Sequence, residues 1–175
     1  RERYRLAPTV DHGQVVKFTL GISVILIALL SPLHVISDKY LFSGHMFQHV
    51  LLTLVAPPLL ITGIPDWLVR PLLKNRSVFL LSKLSTHPII AFTLFNVIFS
   101  IWHVPELYDL SVNFKYVHIV EHLMFMGSAV MMWWPIFSTV PELPKLSYPL
   151  QIVYLFFLSS DILSILVGID LHKSL

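Results

Sequence analysis

The sequence predicts an all-α integral membrane protein, a polytopic helical bundle with about five spans visible. Three observations predict it. Hydrophobic residues make up 55% of the chain and charged residues only 13%, against roughly 25% charged in a soluble domain. Mean hydropathy is +0.76, and a soluble fold this apolar would leave large sticky patches in water. The apolar residues also gather into runs near the roughly 20 residues that a helix needs to cross about 30 Å of hydrocarbon.

The spans follow in order, and residues 1–175 form a single transmembrane domain. The first covers 16–35 and ends in "SPLHV". The second, 44–64, opens with "GHMFQH" and carries Pro57 and Pro58 in its middle. Proline removes a backbone donor and clashes with the preceding turn, so a kink is expected there. Residues 65–84 mix Trp67 and several leucines with four basic residues, as an amphipathic segment at a membrane interface does. The third span, 88–104, is short and ends in "WHVPELYD". The fourth, 116–135, holds Gly127 and Ser128, a small-residue patch suited to close helix packing. The fifth covers 148–169, with Asp161 in its body. A charge there is costly and is expected to face the bundle interior. Trp102, Trp133 and Trp134 fall near the expected interfaces, where an aromatic belt forms. The absent initiator Met points to a trimmed or partial chain.

Orientation follows from Lys and Arg. One face carries Arg1, Arg3, Arg5, Lys17, Arg70, Lys74, Arg76, Lys83 and Lys145, and the other carries Lys39, Lys115 and Lys173. Nine against three makes the first face cytoplasmic. These positions account for the basic residues through topology, and no nucleic-acid partner is expected. With no cysteine in the chain, disulfides and thiolate metal sites are excluded. No phosphate loop, zinc-protease motif or nucleophile elbow is present, so an enzyme is not expected.

The histidines then form a pattern. His34, His45, His49, His103, His118, His122 and His172 fall on the outer side, and only His12 and His87 on the inner. His45 and His49 are four residues apart, as are His118 and His122. That spacing puts each pair one turn apart on a single helix face. Each pair also begins a helix, where the dipole disfavours imidazolium, and neutral imidazole is the form that binds metal. Imidazole suits copper, zinc and iron alike. Met46 adds a soft thioether that favours Cu(I). Glu121, between the second pair, needs a partner at membrane depth. The residues alone leave three readings open: a metal site, histidines that hydrogen-bond between helices, and axial ligation of haem.

The blocks "SPLHVISDKYLFSGHMFQHVLLTLVAPPLLITGIP", "WHVPELYD" and "VHIVEHLMFMGSAVMMWWP", in that order, resemble the polytopic CtaG family of bacterial cytochrome c oxidase assembly factors. The resemblance implies a non-enzymatic protein of the bacterial cytoplasmic (inner) membrane, with about seven spans in the whole. It implies that cytochrome c oxidase subunits are partners, and that the protein helps form the copper site of the catalytic subunit. Carried over by position, it points to His45, His49, His103, His118 and His122. The reading expected from this is a Cu(I) site of outer-face histidines, with Met46 as a further donor. That site would be exposed at the extracytoplasmic face to receive copper from an extracytoplasmic donor. Haem handling and a metal-free scaffold are the alternatives.

Overall fold

The computed structural model describes residues 10–30 and 42–158. His34, Asp38, Asp161 and His172 lie outside the described residues, as do the ends of the first and fifth expected spans. Every regular element described is helical.

Helix α1, His12–Leu30, is the first span. Its apolar residues point outward: Leu26, Ile27 and Leu30 are exposed, as befits a helix whose solvent is lipid. The second span begins as α2, Phe42–Val50, passes through a π-helical turn, Leu51–Val55, and continues as α3, Ala56–Gly63. Pro57 and Pro58 explain the interruption. The carbonyl of Thr53 would accept from residue 57 in an α-helix and from residue 58 in a π-helix, and neither proline has an N–H. It accepts instead from the indole Nε1–H of Trp133 at 2.8 Å. The expected kink is thus a π-turn, its freed carbonyl satisfied by a neighbouring helix as the apolar medium requires.

α3 packs chiefly against α1. The approach is close because of two glycines. A Cβ on Gly63 would lie 2.5 Å from the backbone nitrogen of Phe18, and one on Gly21 would lie 2.9 Å from Leu60. Gly127, the expected packing glycine, has nothing within 4 Å of the place its Cβ would take. The small-residue contact therefore lies between the first two spans and not at residue 127.

Residues 66–85 are two short helices with no buried residue, α4, Asp66–Leu73, and α5, Arg76–Ser85. The Asn75 side chain caps α5 by accepting from the N–H groups of Ser77 and Val78, which ends the first helix and restarts the chain. After a bend of 71° comes α6, Pro88–Trp102. Proline at its first position costs nothing, because that N–H has no helical partner. α7, Pro105–Asn113, begins the same way. The residues between the third and fourth expected spans are thus a helix. α8, Lys115–Phe137, is the longest element, and α9, Tyr148–Leu158, is a short apolar helix.

The core lies between α6, α8 and α9: Phe95, Phe99 and Trp102 meet Phe125, Ala129, Met132 and Leu158. Trp102 is a buried core residue and Trp133 a half-buried hydrogen-bond donor, so neither serves mainly as an interfacial anchor. The Tyr154 hydroxyl donates to the Met132 carbonyl at 3.0 Å and ties α9 to α8.

The chain is an all-α membrane-spanning protein. Three helices are long and apolar enough to cross a membrane, and a fourth span exists if α5 and α6 count as one broken span. The expected span at 88–104 is too short alone, because Pro88 turns the chain. Contacts between helix ends sort the bundle into two ends. Gly63 meets Phe18, and Arg70 reaches Glu142 at 3.8 Å; this end also holds Lys17, Lys74, Arg76, Lys83 and Lys145. The opposite end holds the start of α2, the end of α6, α7 and the start of α8. Among the described residues its one Lys or Arg is Lys115.

Candidate metal centre

Two helix starts meet at the base-poor end. On α8 the buried positions include His118, Glu121, His122, Phe125, Ala129 and Met132, a single stripe at spacings of three and four. On the second span His45, Gln48, His49 and Leu52 are buried at the same spacing. The two stripes face each other, and their polar first turns coincide.

Within each pair the imidazoles converge through the same atom. His45 Nε2 and His49 Nε2 are 2.7 Å apart, and His118 Nε2 and His122 Nε2 are 2.5 Å apart. Across the helices the ring centres of His45 and His118 are 5.5 Å apart, and those of His49 and His122 are 5.2 Å apart. Glu121 Oε1 lies 3.5 Å from His49 Nε2. This supplies the partner expected for Glu121, and it comes from the facing span. His45, His49 and Glu121 each offer a ligand atom within 4.8 Å of the others.

His103 completes one wall. It caps the C-terminus of α6, its ring centre 6.0 Å from that of His49. Its Nδ1–H donates to the Phe99 carbonyl at 2.6 Å. That bond fixes the tautomer and leaves the Nε2 lone pair as the ligating atom, the usual service of an outer hydrogen bond to a metal-binding histidine. The ring also stacks on Phe125 at 5.9 Å.

The cluster was expected to lie exposed at the extracytoplasmic face, and the structure corrects this. His45 and His49 are each 1% exposed, Glu121 1%, His118 7% and His122 6%. The physical reason is a cover that the sequence does not announce. α7 packs on α8, Ser111 is buried, and the Tyr108 ring centre stands 5.7 Å from that of His45. Phe125 closes the cluster from below, 4.7 Å from His49.

Of the residues expected as ligands, His45, His49, His118 and His122 come together, and His103 stands beside them. Met46 is buried, but it points about 100° around the helix from His45. The third donor of the tightest grouping is Glu121, expected as a charge in need of a partner. Its position was legible: three residues after His118, it shares that face.

The chemistry fits a small cation. Donor nitrogens on a tetrahedral ion at about 2.0–2.1 Å sit roughly 3.3 Å apart. From 2.7 and 2.5 Å the pairs need to open by about 0.6 and 0.8 Å to reach that spacing. A buried carboxylate among imidazoles also offsets the charge of an ion that would otherwise be costly at this depth.

Residues 1–169 match the family described as cytochrome c oxidase caa3 assembly factor (Caa3_CtaG). No curated protein and no solved structure matches the chain.

Proposed function

The chain belongs to the cytochrome c oxidase caa3 assembly factor family, and from that membership we propose that it carries copper to the oxidase. Members of this family are assembly factors and not catalysts, so the ion is cargo. The observation that carries the reading is the convergence of His45, His49 and Glu121 in a buried three-donor grouping, with His118 and His122 packed against it. Imidazole donors without thiolate suit copper.

One feature supports delivery on the extracytoplasmic side of a bacterial inner membrane. The histidine end is poor in Lys and Arg, and the other end holds six of the seven found among the described residues. The positive-inside rule then makes the histidine end extracytoplasmic. Copper from an extracytoplasmic donor would pass through this cluster to the catalytic subunit. The count of five spans here, within a seven-span whole, belongs to the same proposal.

The crowding of the rings favours an ion over haem. A porphyrin needs a flat slot between two axial imidazoles, whereas these pairs close to 2.7 and 2.5 Å and pack against Phe125.

Copper quantified in purified protein tests the reading. Wild type is expected to retain copper and a His45→Ala/His49→Ala/His118→Ala/His122→Ala variant to lose it. Equal, negligible copper in both would sink the proposal and leave a metal-free scaffold.

A further inference from the structure

The cluster is not built as one symmetrical cage. Its nitrogens converge by pairs, and each pair belongs to one helix. The Nε2 atoms are 2.7 Å apart within the α2 pair and 2.5 Å within the α8 pair. Ring centres are 4.3 and 4.4 Å apart within the pairs, and 5.2 to 6.3 Å apart where His45 faces His118 and His122 and where His49 faces His122. The carboxylate is also asymmetric. Glu121 lies on α8, yet it forms the tight grouping with His45 and His49 of the other helix. His103 stands on that same side, near His49.

From this arrangement we infer that the cluster has two adjacent copper positions. The first is formed by His45 Nε2, His49 Nε2 and Glu121 Oε1. The second is formed by His118 Nε2 and His122 Nε2. This deepens the copper reading above and rests on it. The first position has three donors including a carboxylate, and the second has two neutral imidazoles. The second therefore holds its ion less tightly and is the one from which copper leaves. An ion passes between them by exchanging one imidazole for another, with no change in oxidation state. Each histidine of one pair neighbours a histidine of the other, so an incoming donor is at hand before the old one departs.

The test is an anaerobic Cu(I) titration of the purified protein in detergent, read by metal analysis after removal of excess. Wild type is expected to bind about two equivalents, since each position assembles its own deprotonated donors. His118→Ala/His122→Ala and His45→Ala/His49→Ala are each expected to retain about one equivalent. In wild type, a competing chelator is expected to remove one copper well before the other. X-ray absorption on wild type gives a second readout that needs no variant: about two to three nitrogen or oxygen donors per copper. One equivalent in wild type, abolished by either pair variant and showing four nitrogen donors, would overturn the two positions and leave copper binding standing. Two equivalents lost together in each variant would also overturn their independence. No copper in wild type would overturn this inference and the proposed function together.

Discussion

Trp133 donates its indole N–H to the carbonyl of Thr53 at 2.8 Å, joining two spans 80 residues apart. Thr53 needs this bond because the prolines at 57 and 58 deny its carbonyl a partner in either helical pattern. The bond lies one helical turn below His49, whose carbonyl accepts from the Thr53 hydroxyl at 2.7 Å. It therefore holds the two histidine-bearing helices at a set height.

Trp133→Phe keeps the aromatic body and removes the donor. A buried acceptor left without a partner costs about 1–3 kcal/mol. The variant is expected to unfold at lower temperature in detergent and to bind copper more weakly. An unchanged melting temperature would show that the carbonyl finds another donor.

The glycines separate by position. Gly63→Ala places a methyl group against the Phe18 backbone, which cannot yield as a side-chain tip can, and overpacking costs about 1–3 kcal/mol. Gly127→Ala enters open space and removes a poor helix former, a gain of up to about 1 kcal/mol. Thermal unfolding of the two variants should move in opposite directions.

That contrast marks the limit of what was legible. Helical character, membrane depth and the histidine pairs are local properties, written in composition and in the four-residue spacing. So is the buried stripe from His118 to Met132. Which glycine faces a neighbour depends on how each helix is rotated in the bundle, and sequence spacing alone does not carry that. Burial of the cluster escaped for a similar reason. α7 reads as a polar connection because Glu106, Asp109 and Asn113 are on it, yet its other face, with Ser111, closes the site. Met46 was expected as a donor for the softness of its sulfur, but helix rotation, not donor type, decides which side chains converge, and it brings Glu121 to His45 and His49.

Glu121→Gln keeps the shape of the side chain and removes its charge. If Glu121 ligates or braces the ion, copper affinity should fall about 10–100-fold. Competition against a Cu(I) chelator measures it directly. Affinity equal to wild type would assign Glu121 to packing alone.

Copper retention should also depend on pH with a fixed sign. Imidazole and carboxylate bind metal only in their deprotonated forms, so binding releases protons and acid favours release. Dialysis at about pH 5 should strip copper that is kept at about pH 7.5. Retention unchanged on acidification would point to donors that do not titrate, such as Met46.

The π-turn at Leu51–Val55 acts as a phase adjuster. Each residue of an α-helix advances the side chains by about 100°, and a π-turn amounts to one residue inserted without lengthening the contact below it. Below the turn, α3 is bound in rotation by its glycine contact with α1. Above it, His45 and His49 face α8. Wound as a regular α-helix, the same residues would swing that histidine face by about 100°, away from Glu121, whereas deleting one residue between 51 and 55 is expected to restore a regular helix and leave the face in place. The azimuth of a metal ligand is thus set by an irregularity in the backbone a full turn away.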